Sequence, residues 1–270
     1  MNVTWLPDLT PLYTAPNGQV FVWAGPLLNC TLPPCPVELS VYGYRASLPF
    51  SGLLIALYGL CAIAQIYLGL KHKRRGFMTT MLIGIFTEML GYGGRIIMWQ
   101  NPWNQTGFTM QIVLITIGPV FFSAAVYVML SRIIKYISPK ASRFPGRYYY
   151  NTFITCDLVA LVLQAVGGGL SSTSHGTSQA GVDIALAGLS FQVATLVLYI
   201  VACADYAFRS RHVWRQSLTT RFKVFVGFLG LATLFILARC SYRVYELNEG
   251  YTHSNAGLRD QPLFIALEGV

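Results

Sequence analysis

The sequence predicts an all-α polytopic membrane protein, a bundle of seven transmembrane helices, and three observations predict it. Hydrophobic residues fill 54% of the 270 positions and charged residues only 11%, where an ordinary soluble domain carries about 25% charged. Apolar runs of about 20 residues, the length that crosses a bilayer as a helix, occur six times, and a seventh begins near the end. Lysine and arginine collect in alternate loops, the signature of membrane topology.

Residues 1–47 have no basic stretch followed by a long apolar core, so they do not read as a cleavable signal peptide. The run "VFVWAGPLL" is apolar for nine residues only. With seven prolines before residue 48, this segment is expected to be irregular and to lie outside the membrane. Cys30 and Cys35 flank "TLPP" there; they are either a disulfide or two free thiols, and an oxidising compartment favours the disulfide. The helical domain, 48–270, follows, with helices expected over 48–70, 77–99, 111–137, 150–170, 182–204 and 222–240. The third contains Gly118-Pro119, and a proline inside a helix frees a carbonyl and kinks it, as a static bend or as a hinge. The seventh starts at Pro262 and stops at Val270. Those nine residues rise only about 13 Å, so this helix is expected to be truncated in the chain. Cys61, Cys156, Cys203 and Cys240 fall within spans and read as small apolar packers.

Orientation follows from the basic residues. Lys71, Lys73, Arg74 and Arg75 lie in the first loop, and Arg132, Lys135, Lys140, Arg143 and Arg147 in or beside the third. Arg209, Arg211, Arg215, Arg221 and Lys223 border the fifth. These are 14 of the 19 cations, and they predict a cytosolic face for the odd loops and an extracellular N-terminus. The sequons at Asn2, Asn29 and Asn104 all fall on the expected outer side, where glycosylation is possible. The net charge of +9 therefore reports topology, and no nucleic-acid partner is expected, since that needs a basic face on a soluble fold.

Several charges lie inside the spans. In "EMLGYGGR", Glu88, Gly91, Tyr92 and Arg95 share one helical face by the i, i+3/i+4, i+7 rule. Asp157 and Gln164 are seven apart on the fourth helix, just before Gly167-Gly168-Gly169. Arg239, Arg243 and Glu246 are spaced i, i+4, i+7 on the sixth. An ionised group near the bilayer centre costs about 2.5–3.5 kcal/mol, so Glu88, Asp157, Arg95 and Arg239 facing lipid would cost about 10 kcal/mol together. They must turn inward. A structural network that sets helix register and a substrate or ion pathway both satisfy that demand. The neighbouring glycines, which permit close helix packing but also leave room for a ligand, tilt the reading to a pathway.

These motifs also carry a resemblance. "ExxGYxxR" at 88–95, "CDLVALVLQAVGGG" at 156–169, "CADYAFRSR" at 203–211 and "RCSYRVYELNEG" at 239–250 resemble the fungal lipid-translocating exporter family, founded on resistance to aminocholesterol. The likeness runs from about residue 48 to the end. It implies seven helices, an outer N-terminus and the plasma membrane. It also implies export of amphipathic molecules such as sphingoid long-chain bases or sterol derivatives, with resistance to toxic lipids or drugs. By motif it carries over Glu88, Gly91, Tyr92, Arg95, Asp157, Gln164, Arg239, Arg243 and Glu246, and it sets Glu268 where the family tends to place an acid.

Other function classes fare worse. No GxxxxGK[ST] phosphate loop is present, so movement is expected to be passive or proton-linked. His72, His175, His212 and His253 all fall in expected loops, which leaves no set of zinc ligands within the helices and no base beside a serine. No enzyme activity, metal or cofactor is expected. The partners are membrane lipids or amphipathic small molecules, and the sequence names no protein partner. The alternative to transport is a seven-helix lipid sensor that regulates lipid asymmetry without moving lipid.

Overall fold

The computed structural model describes residues 3–5, 11–16, 18–22, 29–32, 35–40, 42–73, 75–137, 146–173, 179–210 and 220–248. Among them six helices are long and apolar enough to cross a membrane: α1 (Leu48–Lys71), α2 (Arg75–Gln100), α3 (Gln105–Ile137), α4 (Gly146–Thr173), α5 (Gln179–Arg209) and α6 (Thr220–Asn248). The chain is thus a multi-pass helical membrane protein. The expected seventh helix at 262–270, with Glu268, lies outside the described residues, as do Asn2, Arg74, Lys140, Arg143, Arg211, Arg215, His175, His212 and His253.

Local chemistry explains where the helices start and stop. Pro49 sits in the first turn of α1, where its fixed φ and missing N–H cost nothing. Lys73 adopts a left-handed φ of 53° in the tight α1–α2 link. The Asn104 side chain accepts a hydrogen bond from the backbone N–H of Gly107 at 3.0 Å, which satisfies one open donor of the first turn of α3. This cap explains why α3 begins six residues before its apolar run. α6 extends eight residues past the expected end at 240, because Tyr242, Arg243, Glu246 and Leu247 remain buried on its inward face. Pro119 lies inside α3, which continues through it.

Among the described residues before 48, short regular elements stand out. Three short strands, β1 (Val3–Trp5), β2 (Pro11–Thr14) and β3 (Val20–Val22), form an antiparallel meander with Tyr13 opposite Val3 and Phe21. Gly18, at a φ of +82°, makes the β2–β3 turn, a conformation glycine adopts without strain. Cys30 and Cys35 are joined in a disulfide and pack with Trp103 against Tyr13 and Phe21. Arg45 donates from Nε to the Trp99 carbonyl at 2.8 Å and stacks over the Trp99 ring. The N-terminal segment is therefore a cap seated on one end of the bundle.

The bundle has apolar residues outside and polar ones within. Leu53, Leu57, Leu60 and Ile63 on α1, Phe86 on α2, Val162 and Val166 on α4 and Phe228 and Phe235 on α6 are exposed, as a lipid-facing surface requires. Glu88, Arg95, Asp157, Gln164, Gln192 and Glu246 are buried. Away from the cap the core is aromatic: Tyr127, Phe153 and Tyr199 meet with centroids 4.6–5.5 Å apart. Small residues let the helices approach. A Cβ at Gly94 would lie 2.8 Å from the Gly107 carbonyl oxygen and 3.0 Å from the Gln111 nitrogen, so α2 and α3 touch backbone to backbone. Gly167, Gly181 and Gly188 do the same for α4 and α5.

The pair Gly93 and Gly94 separates packing from propensity. Gly94→Ala is expected to lower the thermal midpoint in detergent, because backbone atoms cannot yield to the new methyl group. Gly93 faces open space, so Gly93→Ala is expected to leave the midpoint unchanged or raise it, alanine being favoured over glycine in a helix by about 1 kcal/mol.

Candidate functional site

Positions 84, 88, 91 and 95 of α2 fall on one face, and all four are buried. Glu88, fully buried near the middle of the helix, has its Oε1 and Oε2 at 2.7 and 2.8 Å from Nη2 of Arg239 on α6. α3 supplies the wall behind this ion pair. A Cβ at Gly118 would collide with Oε1 of Glu88, so glycine is what admits a carboxylate against that backbone. Removing one partner of a buried pair strands the other charge, at a cost of about 3–5 kcal/mol.

A second polar layer lies between the ion pair and the cap. Arg95, 3% exposed, donates from Nη2 to the Tyr44 hydroxyl at 3.2 Å and stands 5.9 Å from the Tyr42 ring. The Tyr42 hydroxyl accepts a hydrogen bond from Nε2 of Gln111 at 3.0 Å. On α6, Arg243 pairs with Glu246 at 2.7 Å. Burial pushes the Tyr42 phenol upward, Glu246 adds to that, and Arg95 opposes it. Burial raises the Tyr44 phenol as well, against the pull of Arg95. Both rings therefore stay neutral at physiological pH, plugs with polar tips that reach from the cap into the bundle.

A third cluster occupies the other side of α3. Asp157 of α4 meets Ser123 of α3 at 2.6 Å and Thr195 of α5 at 3.2 Å. Gln164 donates to Gln192 at 2.8 Å. Because α4 and α5 run antiparallel, Asp157 with Thr195 and Gln164 with Gln192 form successive rungs between them.

The residues singled out in the sequence thus separate into two groups. Glu88, Arg95, Arg239, Arg243 and Glu246 gather between α2 and α6, whereas Asp157 and Gln164 belong to the α3–α4–α5 contact. At Gly91 the α3 side chain of Ile115 packs directly on the α2 backbone, where a Cβ would strike it. Tyr92 is fully buried with Leu54 and Ile115 and stacks on Tyr58 at 6.0 Å, so it fastens α1. Asn29 is exposed, and its side chain accepts from the Val22 N–H. Tyr42, Tyr44, Gln111, Ser123, Gln192 and Thr195 escaped the sequence reading. Gln111 and Gln192 carried a signal, being amides within or at the edge of apolar spans; the tyrosines of the cap carried none.

At the end away from the cap, a cavity of about 510 Å³ opens between Phe77 of α2, Met129, Arg132, Ile133 and Lys135 of α3, and Phe222 and Phe225 of α6. A second, of about 300 Å³, lies among α3, α5 and α6 and includes Tyr199, Cys203, Leu229 and Thr233. α6 packs on α3 and α5, and the Glu88–Arg239 pair carries it across to α2.

The sequence profile of the RTA1 like proteins matches residues 81–270, and the chain belongs to this family. It is 30% identical to the sphingoid long-chain base transporter RSB1 of Saccharomyces cerevisiae over 175 residues, 63% of this chain and 46% of the relative. It is 26% identical to Protein RTM1 of the same organism, over 70% of this chain and 64% of that one. To its protoporphyrin uptake protein 1 it is 26% identical, over 62% and 56%. The chain spans about half the length of the first of these relatives. No solved structure matches it.

A mutant cycle measures the ion pair. Glu88→Gln and Arg239→Gln are each expected to destabilise the protein by about 3–5 kcal/mol. The double variant, which leaves two neutral amides able to bond each other, is expected to recover most of that loss. Denaturant or thermal unfolding in detergent reads the difference, and additive single losses would contradict a direct pair.

Proposed function

We propose that this protein moves amphipathic lipids across the membrane, with single-chain cationic amphiphiles of the sphingoid-base type as its first substrates. The observation that carries the reading is the ion pair Glu88–Arg239 between α2 and α6. Close packing of small residues holds the other helix seams, and burying two ions is costly, so fastening alone does not call for a charged pair here. A charged latch has a different property: its carboxylate accepts a substitute cation. An ammonium head group entering beside Glu88 offers that substitute and frees Arg239, so the latch opens where a cationic substrate is present. The geometry supports an approach from the end away from the cap, where phenyl rings line the larger cavity for a hydrocarbon chain and Arg132 and Lys135 stand at its polar rim. Pockets of a few hundred Å³ lined mainly by apolar groups suit ligands of this size.

The relatives support this direction, one named as a sphingoid long-chain base transporter and one as a protoporphyrin uptake protein. The capped end, with Arg95, Arg243 and Glu246 beneath the tyrosine plugs, serves in this reading as the closed exit. The excess of lysine and arginine at the other end supports a cytosolic placement for it, with the N-terminal cap outside and the plasma membrane as the site of action. Lipid sensing without movement makes the opposite prediction in the same assay.

That assay follows a fluorescent sphingoid base and a fluorescent phospholipid across liposomes that hold the purified protein. The parent is expected to move the base. The double variant Glu88→Gln/Arg239→Gln, folded but without the charged latch, is expected to be at least about tenfold slower, a change of about 1.4 kcal/mol in the barrier. Saturable binding of the base with no movement by the parent would replace transport with sensing.

A further inference from the structure

The buried carboxyl groups of the bundle are not all in the same condition. Glu88 has Arg239 and Glu246 has Arg243. Among the described residues no lysine, arginine or histidine comes within ion-pair distance of Asp157, which is 1% exposed. It faces Ser123 and Tyr127 of α3 and Thr195 of α5. Tyr199 of α5 and Cys240 of α6 stand next to Tyr127, and neither brings a positive charge.

Ser123 has one hydroxyl proton, and its Oγ lies 2.9 Å from the Val120 carbonyl as well as 2.6 Å from Oδ2 of Asp157. Thr195 has one, and its Oγ1 is closer to the Gln192 carbonyl, at 2.8 Å, than to Oδ1 of Asp157, at 3.2 Å. The Tyr127 hydroxyl is buried and interacts with the same carboxyl and with Ser123, but more loosely than hydrogen-bond geometry requires. An ionised carboxylate would draw all three hydroxyls towards it, since bonds to a charged acceptor are shorter and stronger. The contacts are instead unequal, one short, one long and the tyrosine's looser still. A neutral acid fits this pattern: Oδ2–H donates to Ser123, the Ser123 hydroxyl donates to the Val120 carbonyl, and Oδ1 remains a weak carbonyl acceptor.

We propose that Asp157 is a proton-binding site, a neutral carboxylic acid at physiological pH held between α3, α4 and α5. Two carboxyl groups of one bundle then stand in opposite protonation states, set by their surroundings: Glu88 as an anion locked to Arg239, Asp157 as an acid. The oxygens of Ser123 and Asp157 touch directly, which favours a proton over a larger cation between them. The proposal stands apart from the transport reading, since it concerns the resting protein and needs no lipid.

Infrared spectroscopy of the purified full chain tests it. A protonated carboxyl has a carbonyl stretch distinct from that of a carboxylate, and it moves on exchange into D₂O. An ordinary aspartate, with a pKa of about 3.9, gives none at neutral pH. The parent is expected to show this band at about pH 7, Asp157→Asn to lose it, and Glu88→Gln to keep it. Ser123→Ala, which removes the partner and keeps the acid, is expected to shift its frequency. A parent without the band, a band that persists in Asp157→Asn, or one unmoved in Ser123→Ala would overturn the assignment. So would a band that appears only when sodium is withdrawn, which would make Asp157 an ionised ligand of that cation.

Discussion

A charge with no water around it must find a partner, and much of this bundle is arranged by that requirement. Glu88 and Arg239 sit 151 residues apart in sequence and meet in the interior because each is too costly to leave against lipid. The meeting fixes the rotation of α2 and α6, since only one face of each carries the charge. It also sets what α3 can present behind Glu88, which is why position 118 holds a residue with no side chain. Fixing α2 in that rotation turns Arg95 towards the cap and Tyr92 towards α1.

The remaining helix contacts follow from the bilayer as solvent. Apolar side chains gain little by leaving lipid for one another, so close packing of small residues has to hold the helices. Glycines do this at the α2–α3 and α4–α5 seams, where backbone meets backbone. α6 has fewer such contacts: Gly227 and Gly230 face open space. It rests on α3 and α5, its cavities lie on both sides, and its link to α2 is electrostatic. The helices around Asp157 are thus closely packed through the α4–α5 seam, whereas α6 meets α2 through an ion pair.

The membrane class, the six spans and the inward turn of the charges were legible in the sequence because each rests on a large, local energy. A run of about 20 apolar residues has few alternatives, and seven-residue spacing of charges puts them on one face whatever the neighbours are. Pairing was not legible. Nothing within α2 says that Glu88 meets Arg239 while Asp157, with an equally plain motif, meets hydroxyls. Those partners come from different helices and are chosen by the bundle. The packing of Ile115 on Gly91 was not legible for the same reason, because a glycine that leaves space and one that lets a side chain in look alike in sequence. The N-terminal sheet was hidden by prolines, of which Pro11 opens β2 and Pro16 follows it, and its strands are too short to show an alternating pattern.

The most direct measurement reverses the latch. Exchanging the pair as Glu88→Arg with Arg239→Glu retains two opposite charges between α2 and α6, with the thermal midpoint as the check on folding, but presents a guanidinium where a cationic head group has to bind. If the pair is a latch that substrate opens, the exchanged protein keeps a thermal midpoint near the parent's and no longer moves the fluorescent sphingoid base in liposomes. If it moves the base as fast as the parent, the pair is a structural staple and the path of the lipid lies elsewhere.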